Sequence, residues 1–363
     1  MIRKSRNVIA RDVPSVDYVC CDPCAGVALQ ALTATASMFS KRKIPTASYN
    51  EVAKKEDAMF WQIIMVVFVM VLSINETHAA SCSGRGIELQ VLGSGGPEVQ
   101  DKRASSGYLI WQDGKARILI DCGGGSALRF GQSDAQMKDL HVVLFTHFHV
   151  DHAADFPVLV KSSFFEDRTR PLPVFGPAGS GLFPSTTEFI TGLFDKKKGI
   201  YRYLSDYLTG GESSYAIKPN DVALNEDTIN LVYSESGLKV YGLAVKHGIV
   251  PAIAWRVEIG GATIVIAGDS DGENKNMITL VKDANLLVTT NAIPEGAGGI
   301  ERKLHMPPSV IGKIAADAQV KKIILSHRML RTLGREDETI KFISQSYKGP
   351  VVFANDLDCF SLP

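Results

Sequence analysis

The sequence predicts an α/β protein in which two β-sheets stack face to face with helices outside them. Three observations carry this reading. Short apolar runs closed by Gly, Pro, Asp or Asn recur along the chain. Strands come first with little helix, and helices then intervene. This pattern occurs twice. From Gly84 to Pro363 no linker, low-complexity stretch or short repeat breaks it, so residues 84–363 read as one layered domain.

The first strand, Ile87–Leu92, ends in Gly93-Ser94-Gly95-Gly96-Pro97. Tyr108–Trp111 turns at Asp113-Gly114 into Ala116–Ile120, which ends at Asp121-Cys122-Gly123. Further strands are expected at Val142–Phe145, Val174–Phe175, Leu231–Tyr233, Leu238–Val245, Ala252–Ile259, Thr263–Ala267, Leu286–Val288, Ile323–Leu325 and Val351–Phe353. Apolar residues at helical spacing predict helices over Asp155–Phe165, Ser185–Phe194, Lys275–Asp283, Pro308–Ala318 and Asp337–Tyr347. The Gly-rich turns Gly93–Gly96 and Gly123–Gly125 do not match GxGxxG, and no Lys-Ser/Thr pair follows them, so they read as tight turns rather than nucleotide loops.

Residues 1–57 show weak periodicity and read as a poorly structured leader. Residues 58–80 differ. The run Ala58–Ile74 is apolar but short of the roughly 20 residues that span a bilayer. Lys54 and Lys55 precede it, and small residues through Ala79-Ala80 follow, an order that matches a secretory signal peptide. An uncleaved membrane anchor at the same place is the alternative. Either way the body is expected to be exported, periplasmic or anchored facing outside the cytoplasm. Cys20, Cys21 and Cys24 cluster without a second ligand pair at zinc-finger spacing. Six cysteines are too few for a disulfide scaffold, and Cys82 reads as part of a plain processed terminus. The chain balances 39 basic against 39 acidic residues, and after Ala79 the count is 30 to 32. Without a basic excess, the composition argues against nucleic acid and for a small ester or phosphodiester as partner.

The chemistry is concentrated at residues 146–152, Thr-His-Phe-His-Val-Asp-His, directly after the strand Val142–Phe145. In extended backbone, residues two apart face the same side, so His147 and His149 can converge on one cation. Asp151 and His152, a step further, face a second. Imidazole and carboxylate suit a borderline divalent metal such as zinc, with manganese or iron also possible. Three more polar residues close apolar strands: His247 after Leu238–Val245, Asp269 after Thr263–Ala267, and His327 after Ile323–Leu325. A layered sheet delivers its strand ends to one edge, where these residues can gather over the first cluster. His247 would then complete three imidazoles on one metal. Asp151, His152 and His327 would hold the other, and Asp269 would bridge the two.

On these stretches, with Leu92–Pro97, Ile118–Gly123, Val174–Pro177, Val250-Pro251-Ala252, Ala267–Ser270 and Leu325-Ser326-His327, the chain resembles the metallo-β-lactamase-fold hydrolases. Within them it is similar to the ribonuclease Z and phosphodiesterase branch, from about Ile87 to the C-terminus. The resemblance implies a four-layer αββα sandwich, a single catalytic domain, two zinc ions per chain and hydrolysis of an ester bond. It gives Asp151 the role of orienting the attacking water and accepting its proton. Asp269 speaks against antibiotic hydrolysis, since β-lactamases of this fold lack the bridging Asp. A lactonase or thioesterase, tRNA 3′ processing, and a metal-binding module without turnover are the alternatives. His305, 22 residues before His327, matches a residue outside the metal ligands that assists the departing group, so Asp151 and His305 are the expected catalytic pair. The ribonucleases orient that His with a Glu from a His-Glu pair; Thr289-Thr290-Asn291 stands here instead. Asp121 and Ser270 are expected behind the ligands, and Arg328 near an anionic substrate or at the surface.

Overall fold

The computed structural model describes residue 82, residues 84–211 and residues 215–362. The leader, the export segment and the Cys20, Cys21, Cys24 cluster lie outside the described residues. Fourteen strands are described: β1 Ile87–Gly93, β2 Gly107–Gln112, β3 Lys115–Cys122, β4 Val142–Leu144, β5 Leu172–Pro177, β6 Ile217–Val222, β7 Asn230–Glu235, β8 Leu238–His247, β9 Val250–Ile259, β10 Ala262–Ile266, β11 Leu286–Thr290, β12 Ile323–Ser326, β13 Val351–Phe353 and β14 Cys359–Leu362. Nine α-helices accompany them: α1 Ser126–Gln132, α2 Val150–Ala153, α3 Phe156–Ser162, α4 Thr186–Phe194, α5 Asp206–Thr209, α6 Met277–Val281, α7 Gly299–Leu304, α8 Pro308–Asp317 and α9 Glu336–Ile343.

The strands form two seven-stranded sheets, ordered β14-β1-β2-β3-β4-β5-β6 and β13-β12-β11-β10-β9-β8-β7. Each sheet is antiparallel over its hairpins and parallel where helices cross over, as in β3-β4-β5-β6 and β10-β11-β12-β13. Side chains alternate along each strand, and that alternation builds the layers. Ile118 and Ile120 of β3 face the second sheet and meet Trp255, Ile264 and Val288 in a core between the sheets. Leu119 of the same strand points outward and packs with Phe156, Leu159, Ile190 and Phe194 of α3 and α4. Val265 and Leu287 do the same on the other side, with Leu280, Ile311, Ile314 and Ile343. The result is an αββα sandwich with three apolar layers between four layers of structure.

Two strands escape the sequence reading. β6 carries Lys218, Pro219, Asn220 and Asp221, so its pattern is polar, which an edge position tolerates. β14 is four residues long and also lies at an edge. It is fastened by a disulfide between Cys82 and Cys359, 277 residues apart in sequence. Cys82 is thereby bonded, and it ties the start of the body to its last strand. Among the described residues no helix is long and apolar enough to cross a membrane.

Candidate metal centre

The proposed site residues lie at, or in segments that follow, the C-terminal ends of strands, except His305, which closes a helix. β4 ends at Leu144, the chain bends at Thr146, and an extended His149 leads into α2. His149 is the N-cap of α2, which places Asp151 and His152 in its first turn. The loop is pinned from the side by α4. That helix starts in a capping box: the Ser185 hydroxyl accepts from the Glu188 amide at 3.2 Å, and the Glu188 carboxylate accepts from the Ser185 amide at 2.8 Å. Phe189 of this helix stacks on Phe148, between the two His residues, with ring centroids 4.4 Å apart. His247 is the last residue of β8, Asp269 follows β10, His327 follows β12, and His305 caps the C-terminus of α7.

These side chains meet in two donor sets. His147 Nε2 lies 3.0 Å from His149 Nδ1, which lies 3.3 Å from His247 Nε2. Asp151 Oδ2 lies 3.2 Å from His327 Nε2 and 3.6 Å from His152 Nε2. Asp269 touches both sets. Its Oδ2 is 3.6 Å from His247 Nε2 and 3.4 Å from His327 Nε2, while its Oδ1 is 3.6 Å from His152 Nε2. Ligands held tetrahedrally at zinc-like distances stand about 3.4 Å apart, so these separations are those of donors arranged around cations.

The outer faces of the rings settle which nitrogen looks inward. His247 Nδ1 donates to the Leu304 carbonyl at 2.9 Å, which turns Nε2 inward. His152 Nδ1 donates to Asp121 Oδ2 at 2.8 Å. Thr146 in turn holds that carboxylate, its amide on Oδ1 and its hydroxyl on Oδ2, both at 2.7 Å. Asp121 and His327 both adopt left-handed backbone, φ 54° and 46°, a strain that clusters at functional sites. His152 Nε2 and Asp269 Oδ1 are buried with no hydrogen-bond partner among the described residues. A cation is what such inward-facing orphans lack, and the donor set fits one.

Burial is the largest influence on His147, His149, Asp151, His152, Asp269, His305 and His327. It holds His147 well below the usual imidazole range, lowers His149, and pushes His305 down to about 3 despite the opposing pull of Asp269. In His152 burial is outweighed by Asp269 and Asp121, and in His327 by Asp269 and Asp151, so both are raised. Burial works against the charge on both carboxylates too, yet His327 and its neighbours hold Asp269 well below the carboxylate range and Asp151 at about 2. Both carboxylates are thus ionised at neutral pH.

His305 stands just outside this set, its Nδ1 3.9 Å from Asp269 Oδ2 and without a hydrogen-bond partner among the described residues. Asp121 sits behind His152. Ser270 does not reach a ligand: its hydroxyl accepts from the Gly272 amide at 3.1 Å and closes its own turn. Arg328 is buried against Glu336 and Phe353. His141 precedes β4 and faces Glu235 at 4.0 Å. Thr146 was missed as the residue that orients Asp121, although it opens the quoted run.

The chain belongs to the metallo-beta-lactamase superfamily, whose sequence pattern matches residues 101–303, and it is a metal-dependent hydrolase. It is similar to a ribonuclease Z of Enterococcus faecalis, 25% identical over 311 residues that cover 76% of this chain and 98% of that protein. In fold it is similar to a metallo-beta-lactamase fold protein of Bacillus subtilis (TM-score 0.58, 21% identity, 76% of this chain and 99% of that one). Human short-form tRNase Z is similar in fold to the same degree (TM-score 0.58, 20% identity, 76% and 99%). The expectation that nucleic acid is an unlikely partner is corrected here, because ribonucleases stand among the relatives. Net charge averages over a whole surface, and binding of phosphates depends on local groups that the average hides.

The closeness of the turns gives a prediction. A methyl group on Gly96 would sit 2.7 Å from His327 Cε1. Gly96→Ala should therefore displace that ring and weaken zinc binding at the Asp151, His152, His327 set by about 10–100-fold. Titration calorimetry on metal-depleted protein that finds unchanged affinity would show that the ring is not confined by this turn.

Proposed function

We propose that the protein is a dinuclear zinc hydrolase of phosphodiester bonds, with RNA within its substrate range. The observation that carries this is Asp269, one carboxylate in reach of both donor sets. His147, His149 and His247 would hold one ion, Asp151, His152 and His327 the second, and Asp269 both; manganese or iron could replace zinc. Bound there, two divalent ions supply Lewis acidity and a nucleophile drawn from water at neutral pH. Asp151, ionised and next to His327, accepts the proton of the attacking water. Asp121 takes the Nδ1 proton of His152 in a hydrogen bond and so turns Nε2 toward the site. His305, buried, neutral and not part of either donor set, hydrogen-bonds the developing charge on the leaving oxygen through its one N–H. Thr290 stands where the ribonucleases place an orienting Glu; its hydroxyl is buried without a partner among the described residues and supplies no charge to His305. The relatives named as ribonucleases support the substrate class.

The test separates binding from chemistry. His305→Ala should keep two zinc equivalents and lower kcat by about 10²–10³ on an RNA oligonucleotide, whose leaving oxygen carries concentrated charge that a hydrogen bond stabilises. The loss should be much smaller on bis(p-nitrophenyl) phosphate, which departs as a stable anion. Equal losses on both substrates would remove His305 from the chemistry, and one zinc equivalent or fewer in the wild type would remove the dinuclear centre.

We further propose that residues 58–80 export the body. The Cys82–Cys359 bond supports this, because disulfides persist outside the reducing cytoplasm. A reporter fused after Ala80 should appear outside the cytoplasm; a soluble cytoplasmic reporter would contradict export.

A further inference from the structure

A residue remote from both donor sets ties down the turns beneath one of them. Asp356 lies between β13 and β14. Its Oδ1 accepts from the Ser94 amide at 3.0 Å and the Ser94 hydroxyl at 2.8 Å. Its Oδ2 accepts from the Ala104 amide at 2.9 Å and from Arg129 Nε and Nη2, each at 3.2 Å. One carboxylate therefore joins the turn after β1 to the segment before β2. Both lean on the Asp151 and His327 side of the centre. The Ser94 carbonyl accepts from the Arg328 amide at 2.8 Å, one residue past His327, and Gly96 abuts the His327 ring. The Ser105 hydroxyl donates to the Gly96 carbonyl at 2.9 Å, and the Ser105 amide donates to the Gly124 carbonyl at 2.9 Å. Next to it, a methyl on Gly123 would lie 2.0 Å from the backbone oxygen of Asp151. Three residues beyond Asp356, the disulfide fastens the strand that delivers it.

We infer that Asp356 is a positioning residue for the half of the metal centre formed by Asp151 and His327; this rests on the two-metal reading above. Its removal leaves the Ser94 and Ala104 amides without their acceptor, and unpaired buried donors drive the turns to rearrange. His327 then loses the wall that confines its left-handed backbone. His147, His149 and His247 hang from β4 and β8, which these turns do not hold. The damage is therefore one-sided.

The experiment is a cobalt(II) titration of the full chain after metal depletion, followed by visible absorption. The wild type takes up two equivalents. Asp356→Asn should bind the first as the wild type does and the second about tenfold more weakly. Ile259→Val, a change in the core between the sheets at the end of β9 away from His247, serves as the structural control. It should lower thermal stability without changing either affinity. His327→Ala tests the underlying reading: if it still binds two equivalents, the two-metal reading fails, whatever Asp356 does. If His327→Ala loses one equivalent while Asp356→Asn keeps both affinities, or loses both equally, the positioning role is overturned. Should Asp356→Asn not fold, Ser94→Ala carries the test, since it deletes the hydroxyl bond to Asp356, together with one from Arg103, and leaves the carboxylate in place. A two- to fivefold weakening of the second equivalent, about the worth of one hydrogen bond, is expected. Wild-type affinity for both would overturn the role.

Discussion

The structure turns on a buried carboxylate. Asp269 is 2% exposed and surrounded by His152, His247, His305 and His327 at 3.4–3.9 Å. Removing such a charge from water costs several kcal/mol unless opposite charge replaces the water. Imidazoles packed this closely cannot all carry the compensating charge without repelling one another. Cations between them would supply it. The surrounding architecture serves this demand: strained backbone at Asp121 and His327, and outer hydrogen bonds that fix the orientation of His152 and His247.

The αββα sandwich explains how residues up to 180 positions apart in the chain reach one point. Its two sheets share an apolar core, and its parallel strands all end at the same edge. β4, β8, β10 and β12 each contribute one segment there. Because the strand interiors are buried on both faces, their registers are rigid, and the polar residues just past each end inherit that rigidity. The helices act on the edge from outside: Phe189 presses on the loop of His147 and His149, and α7 presents the Leu304 carbonyl to His247.

Much of this was legible in the sequence because the local signals and the tertiary demands agree. The HxHxDH run and the polar residues ending three apolar strands stand out against their neighbours, and the structure brings all of them within 4 Å of a partner in the cluster. What was not legible depends on contacts between distant segments. β6 is polar and β14 short, since edge strands need little apolar surface. The Cys82–Cys359 bond joins the two ends of the body, and no spacing rule links residues 277 apart. Asp356 reads as one more turn aspartate until Ser94 and Ala104 are seen against it. Net charge misled about nucleic acid because it carries no position.

The central claim, that Asp269 joins two cation sites, is tested most directly by anomalous diffraction at the zinc absorption edge from crystals of the zinc-loaded protein. Two peaks are expected on either side of the Asp269 carboxylate, about 3.5–4 Å apart, one beside His147, His149 and His247 and the other beside Asp151, His152 and His327. A single peak, or peaks away from Asp269, would contradict it.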